Sequence, residues 1–308
     1  MCDLVTYFLD ISGMPAHLIW RMIFAFGSLL AFMGLVLRFV TTKDSKKFVK
    51  AAKAAKGTRR TFFKDYLRPL LGTALIWLLF DIVEYGLKQN DAAIFAAGDD
   101  APYRQSVLTV FLTRLLVIPS LAFAPWLLKQ MSSKHVQLIG FVGCAIVNCV
   151  LAFGYFQLKE MTILFDALYI LQLSFQSLPG VTTMAIPAEI YPSAVRGMGA
   201  AMSAASGKVG ATLGSFFFTM LKEQGNIRTI FWVVTCTSTL AVTLTVFLTP
   251  HYNGRVLDMA EDLAVQGKTC QACKLLFSGP QAESNGKEVD EESGDGKSEE
   301  GADTATAC

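Results

Sequence analysis

Four ionisable side chains lie well inside long apolar segments of the sequence: Asp81, Glu84, Arg114 and Lys208. Ionisable residues at the depth of a lipid bilayer are costly, and by default they mark a substrate pathway or a proton relay. Because removal from water favours the protonated form of a carboxyl group, Asp81 is the candidate proton carrier. Arg114 and Lys208 have two open interpretations. They are either structural partners of Asp81 and Glu84 or ligands for an anion.

Two segments carry polar residues at helical spacing. Trp77, Asp81 and Tyr85 recur every four residues and therefore line one face of a helix. Around the helix axis, Glu84 lies about 60° from Asp81, since each residue turns the helix by ~100°. A second stripe, which falls within about 120° on a later segment, consists of Asp166, Tyr169, Gln172, Gln176, Gly180 and Thr183. Such a stripe lines a pathway or else joins membrane helices through hydrogen bonds. We favour the pathway, with Gln172, Gln176 and Gly180 as candidate contacts.

The elements that must position these residues are apolar segments. The chain has 308 residues, of which 53% are hydrophobic and 17% charged, whereas soluble domains have roughly 45–50% and about 25%. A membrane-spanning helix needs ~20 mostly apolar residues. The sequence therefore predicts an all-α membrane protein with about seven transmembrane helices, at 16–40, 69–86, 106–127, 136–156, 161–186, 198–221 and 227–248.

The same composition argues against other classes of protein. Basic residues are concentrated in one segment, whereas a nucleic-acid-binding domain carries them over a folded surface. Only three histidines are present and none accompanies a Ser or Cys nucleophile arrangement, so we do not expect an enzyme. We expect no cofactor and no metal. Cys270 and Cys273 form one CxxC pair, which cannot complete a tetrahedral zinc site.

The loops predict the orientation of the helices. The first two apolar segments are separated by a loop from Thr41 to Arg68. This loop contains ten lysines and arginines, with Arg68 included. Positive residues mark the cytoplasmic side of a membrane protein, so this loop is expected inside. Alternation then places the loop 87–104, with Asp91, outside and the C-terminal tail in the cytoplasm. We expect a multi-pass protein of the plasma membrane.

Composition also divides the chain into four parts. An N-terminal stump and first span occupy residues 1–40, the basic loop residues 41–68, and a six-helix unit residues 69–249. The tail, residues 250–308, becomes rich in Gly, Ser and acidic residues after about residue 279. That final segment has too few apolar residues to form a core, so we expect it to be disordered.

Several motifs resemble one family of transporters. The sequence PAEIYPSAVRG at 187–197 resembles the loop between the tenth and eleventh helices of the major facilitator superfamily. Together with SAASGKVGA at 203–211, it resembles the proton-coupled phosphate symporters of plants and fungi. Gly72-Thr73-Ala74, followed by Trp77, Asp81 and Tyr85, resembles the seventh helix of that family. Residues 20–21 resemble the start of the sixth helix, and residues 250–258 the motif after the last.

The resemblance implies a fold, an activity and roles for residues. The seven segments would be helices six to twelve of the major facilitator fold, in a secondary transporter that moves inorganic phosphate with protons by alternating access. Trp77, Asp81 and Tyr85 would contribute to the substrate site or proton relay, with Lys208 as a further contributor. Glu189 and Arg196 would form a cytoplasmic charge clamp that breaks and reforms. At Gly180, the sequence departs from the asparagine expected in the tenth helix.

Alternatives remain open at this point. The solute is phosphate or another anion, or else the chain belongs to a sugar or organic-ion porter of the same superfamily. A different class is a seven-span nutrient sensor or receptor that does not transport. Superfamily members bind their substrate between two six-helix halves. The N-terminal half is therefore expected either from a longer form of this protein or from a partner chain.

Overall fold

The computed structural model describes residues 2–41, 63–95, 103–193, 195–250, 252, 254–266 and 268–278. These ranges contain ten helices and no strand, which confirms the predicted all-α fold. The basic segment 42–62 and the acidic segment after residue 278 lie outside them. The helices are α1 (Cys2–Ile11), α2 (Ala16–Thr41), α3 (Leu67–Phe95), α4 (Tyr103–Gln130), α5 (Ser133–Glu160), α6 (Thr162–Ile190), α7 (Arg196–Glu223), α8 (Ile227–Leu248), α9 (Gly254–Val265) and α10 (Thr269–Ser278).

The seven helices from α2 to α8 have the length of membrane spans. They contain 22 to 29 residues, and at ~1.5 Å per residue even 22 residues cover the ~30 Å hydrocarbon core. Five of them, α2, α3, α4, α5 and α8, are also apolar enough to cross a membrane. Helices α6 and α7 are less apolar, since α6 carries the polar stripe and α7 is rich in Gly, Ala and Ser. The less apolar pair contains Gln172, Gln176, Gly180 and Lys208.

Helices α3 and α7 form the most extensive helix pair of the bundle. A Cβ atom at Gly210 or Gly214 would overlap the backbone carbonyl of Leu78 or Ile82, respectively. Only glycine therefore permits this close approach of the two backbones, as is common between membrane helices. Residue numbers on the two helices rise together along the contact, so α3 and α7 run parallel.

The other helices complete a bundle around α3 and α5. More than half of the apolar, membrane-spanning part of each of these two helices is buried inside the chain. Helix α5 packs on α6 and α8, and α4 packs mainly on α6. The shared core includes the fully buried Leu151, Tyr169 and Phe231. Helix α2 packs on α1. The apolar, membrane-spanning part of α2 is not buried against the rest of the described chain.

Residues 254–278, for which the sequence predicts no element, form α9 and α10. We call these two helices the cap. The cap covers the end of the bundle where α6 ends and α7 begins, and its Val256, Ala272 and Leu276 pack in one apolar cluster with Tyr66 and Tyr191. Arg68, at the start of α3, lies over the ring of Phe277. The membrane bundle therefore continues into a packed helical cap.

Candidate functional site

The predicted face of α3 meets α7 and forms a compact polar cluster. Trp77, Asp81 and Tyr85 line α3, and Lys208 reaches them from α7. The Lys208 Nζ atom lies 3.9 Å from Asp81 Oδ2 and donates a hydrogen bond of 3.0 Å to the Tyr85 hydroxyl. The ammonium group also lies 4.8 Å from the centre of the Tyr85 ring. We call these four residues, together with Gly207, the Asp81 centre.

Gly207 makes the Asp81 centre possible. A Cβ atom at this position would lie 2.6 Å from Trp77 Nε1 and 2.8 Å from Asp81 Oδ2. Such distances are far below van der Waals contact, so any larger residue would displace the indole or the carboxyl group. The glycine before Lys208 thus lets the carboxyl group pack tightly between α3 and α7.

The Asp81 carboxyl group is buried but incompletely satisfied. The residue is only 3% exposed, and among the described residues its Oδ2 atom has no hydrogen-bond partner. The side chain of Lys208 is 67% exposed, so its ammonium group stays accessible from outside this chain. A buried polar group without a partner is costly, and charge-assisted hydrogen bonds are normally about 2.7–2.9 Å long. The Asp81 centre can therefore accept a proton on the carboxyl group and an anion beside the ammonium group.

Glu84 and Arg114 have other partners than those expected. Glu84 forms an ion pair with Lys88, one turn further along α3. Arg114 forms an ion pair with Asp91, whose other oxygen accepts a hydrogen bond of 2.5 Å from the Tyr169 hydroxyl. Of the two interpretations left open for Arg114, a structural partnership with Asp81 or Glu84 is therefore not what the structure shows, since its partner is Asp91. We call Asp91, Arg114 and Tyr169 the Asp91 centre.

The position of Asp91 also differs from the prediction. The sequence predicts an external loop here, after a helix ending near Gly86, whereas α3 continues to Phe95 and Asp91 is only 2% exposed. The signal was present, because Leu87, Asp91 and Ile94 are buried at helical spacing. Polar residues in the last turns of α3 reduced the hydropathy without ending the helix.

Gln172, Gln176 and Gly180 contact residues that do not belong to the Asp81 centre. The Gln176 Oε1 atom accepts hydrogen bonds from the Cys144 thiol of α5 at 3.3 Å and from Gln172 Nε2 at 3.5 Å. Both glutamines are buried. Gly180 faces Phe80, whose Cζ atom would be 3.3 Å from a Cβ at that position. These residues of the polar stripe therefore pack against α5 and another side of α3.

The predicted charge clamp is replaced by two separate contacts. Glu189 accepts hydrogen bonds from the Ser133 hydroxyl at 2.8 Å and the Tyr252 hydroxyl at 2.6 Å. Arg196 instead lies 3.8 Å from the Glu261 carboxylate of α9. Glu189 and Arg196 do not pair with each other in the part of the chain that the structure describes.

Tyr252 and Glu261 were missed by the sequence analysis, because both lie in the tail. Burial and the negative charge of Glu189 raise the pKa of the Tyr252 hydroxyl, which stays protonated and donates to Glu189. Glu261 also accepts a hydrogen bond of 2.9 Å from the Ser193 backbone N–H. In the same cap, burial raises the pKa of the Cys273 thiol to about 11. Tyr252, just before the cap, and Glu261 of the cap thus hold the two ends of the loop between α6 and α7.

Comparison with known proteins gives a consistent result. The family described as "Sugar (and other) transporter" matches residues 98–263, just over half of the chain. Glycerophosphoinositol permease 1 of Candida albicans is 26% identical over 301 residues, which cover 95% of this chain and 56% of the permease. Inorganic phosphate transporter PHO84 of Saccharomyces cerevisiae is 32% identical over 169 residues, 49% of this chain and 28% of the relative.

A plant relative extends the pattern. The probable inorganic phosphate transporter 1-6 of Arabidopsis thaliana is 30% identical over 211 residues, 64% of this chain and 41% of its own length. The chain thus spans about half the length, or less, of these relatives, which are permeases and transporters and not enzymes. Because the family match extends over more than half of its residues, this chain belongs to the sugar and related transporters of the major facilitator superfamily.

Proposed function

We propose that this chain forms the C-terminal part of a secondary transporter that takes up inorganic phosphate together with protons. The observation that carries the proposal is the Asp81 centre. It combines a buried carboxyl group that lacks one hydrogen bond with an exposed ammonium group 3.9 Å away. The relatives named as inorganic phosphate transporters in yeast and Arabidopsis support phosphate as the solute.

The chemistry of coupling follows from the charges. When Asp81 is ionised, it partly neutralises Lys208. When Asp81 takes up a proton, Lys208 loses its counter-ion, and an entering phosphate is the natural replacement because an isolated charge at bilayer depth is costly. Proton and anion then bind together, which is the requirement for symport. Trp77 and Tyr85 shape the site around them, and Glu84 stays paired with Lys88.

Alternating access requires a second half. Lys208 is largely exposed within this chain, although it lies near the middle of α7. We propose that a second six-helix unit faces it, either in the same polypeptide or in a partner chain, and that the solute binds between the two. The loop between α6 and α7, bound by the cap through Glu261, would then be released and bound again as the halves rock.

We further propose that the protein lies in the plasma membrane with the basic loop and the tail in the cytoplasm. A tag inserted at Gly57 and a tag near residue 300 should both escape surface labelling in intact cells. Both should be labelled after the membrane is permeabilised. Labelling of either tag in intact cells would contradict this orientation and the alignment with helices six to twelve.

The transport proposal is tested with the assembled protein reconstituted in liposomes. Uptake of radiolabelled phosphate should accelerate when the outside is more acidic than the inside, and a protonophore should abolish the acceleration. Competition by unlabelled sulfate and glucose tests the solute. Glucose uptake without phosphate uptake would favour a sugar porter. Binding of phosphate without uptake would favour a sensor.

A phosphate ester is the second candidate solute. The glycerophosphoinositol permease aligns with 95% of this chain, whereas the yeast phosphate transporter aligns with 49%. Inhibition of phosphate uptake by an organic phosphate would support this candidate.

A further inference from the structure

We propose that a small cavity near the end of α6 binds one ordered water molecule, which replaces a backbone hydrogen bond that Pro187 removes. The cavity lies where α3, α5, α6 and the residue after α8 meet, and its lining includes Thr73, Gln137, Thr183, Pro187 and Thr249. All of its lining residues are buried within this chain. The walls of the cavity therefore do not depend on a second six-helix unit, and the inference does not depend on the transported solute.

The cavity has the size of one water molecule. A volume of about 10 Å³ is open to the centre of a water molecule, and ~10–15 Å³ on this measure holds one water. A phosphate or a sugar is several times larger than this space. The cavity is therefore distinct from any site for the solute.

Pro187 leaves one carbonyl group of α6 without its helical donor. Proline has no backbone N–H, so the carbonyl group of Thr183, four residues earlier, loses the hydrogen bond that continues the helix. A backbone group without a partner is costly in a membrane helix, and ordered waters are one of the ways in which such groups are satisfied. Because Thr183 and Pro187 both line the cavity, a water molecule there is within reach of this carbonyl group.

A buried carboxamide group from α5 provides the second contact. Gln137 is only 1% exposed, and its Oε1 atom has no hydrogen-bond partner among the described residues. A carboxamide group both donates and accepts hydrogen bonds, so whichever end of it faces the cavity can bond to the water. Thr183 and Thr249 add hydroxyl groups to the lining. Together these groups suffice for the ~3 hydrogen bonds that a buried water usually makes.

The charges around the cavity favour a neutral ligand. The residues that line it carry no charge, and the Lys134 ammonium group donates a hydrogen bond of 2.7 Å to the Thr249 carbonyl oxygen. A metal cation in the cavity would be an unpaired charge beside a positive one, which is costly. A water molecule instead joins α5 to the break in α6 and so stabilises the short segment of α6 that carries Glu189.

The experiment measures the melting temperature of the assembled, purified protein. Gln137→Met keeps the approximate volume of the side chain but removes its hydrogen bond to the water. The melting temperature should therefore fall by about 2–4 °C, the usual effect of one lost hydrogen bond in a domain of this size. In a Pro187→Ala background the Thr183 carbonyl regains a helical donor, so the same change should lower the melting temperature less. Gln157→Met is the matched control, because Gln157 is exposed on the same helix.

Other outcomes would overturn the inference. A rise or no change in the melting temperature of Gln137→Met would indicate a dry cavity, and an equal fall in both backgrounds would remove the link to Pro187. Stabilisation by sodium that potassium does not reproduce would identify a cation site instead. If Pro187→Ala does not fold, an electron cryo-microscopy map of the assembled wild-type protein decides. Density for a water beside Gln137 is expected, and its absence in a map that resolves other buried waters would contradict the site. None of these measurements uses transport, so the proposed function is tested separately.

Discussion

Two acidic residues on α3 have opposite surroundings, although they lie only ten positions apart and are equally buried. Asp91 is an ion-pair partner of Arg114 and accepts a hydrogen bond from Tyr169, so each of its oxygens has a partner. Asp81 has a looser ionic contact at 3.9 Å, and its Oδ2 atom accepts no hydrogen bond within the described chain. A satisfied buried carboxylate holds helices together, whereas an unsatisfied one is available to a proton or a ligand.

The partners differ in the same way. Arg114 is only 28% exposed and is held in the bundle, whereas Lys208 is 67% exposed. A guanidinium group cannot lose its proton in a protein and forms fixed, directional contacts. A lysine ammonium group is a mobile point charge that can change partner. The Asp91 centre is therefore suited to a structural role and the Asp81 centre to an exchange of ligands.

The largest effect is expected from Asp81→Asn. Asparagine keeps the shape of the side chain but cannot carry a proton, so phosphate uptake driven by a pH gradient should fall to background. The protein should still reach the membrane, and its melting temperature should not fall, because the buried oxygen that loses its charge had no hydrogen bond. Uptake of the variant in liposomes is the measurement. Unchanged pH-dependent uptake would show that Asp81 does not couple the proton.

Asp91→Asn should have the opposite result. Loss of the charge leaves Arg114 without its counter-ion, and breaking a buried ion pair costs about 3–5 kcal/mol, with the low end expected here because Arg114 is partly exposed. The free energy of unfolding should fall while the KM of the surviving fraction stays unchanged. The double variant Asp91→Asn/Arg114→Gln should lose less than the sum of the two single variants, since the pair acts as a unit. An additive loss, or a lost pH response without a loss of stability, would place Asp91 in the transport pathway.

Lys208→Gln should have the smallest effect of the three. Hydrogen bonds to charged groups contribute about 1.5–3 kcal/mol, so the KM for phosphate should rise about ten- to hundredfold. The melting temperature should change little, because the side chain is largely exposed. Lys222→Gln, in the last turn of the same helix, is the control and should leave KM unchanged. A lower melting temperature with an unchanged KM would instead make Lys208 a structural partner of Asp81, like Arg114 at Asp91.

Much of this architecture was predictable from the sequence because the responsible signals are local. Hydropathy over about twenty residues locates the long helices, and the four-residue spacing of Trp77, Asp81 and Tyr85 places them on one face whatever surrounds the helix. The run of small residues around Gly207 likewise indicates close helix packing. These patterns depend only on the pitch of a helix and on the cost of exposing polar groups to lipid.

The choice of partners was decided by the tertiary structure. Arg114 pairs with Asp91 and not with Asp81 because the rotation and axial position of α4 against α3 bring Arg114 next to Asp91. The packing of whole helices sets this rotation and axial position, so no single residue of the sequence reveals them. The polar end of α3 stays helical because Arg114 and Tyr169 satisfy Asp91 there. In the same way Glu189 and Arg196, close in sequence, have separate partners, because Tyr252 arrives from just before the cap and Glu261 from the cap itself. A sequence specifies which charges need partners, and helix packing determines which partners come within reach.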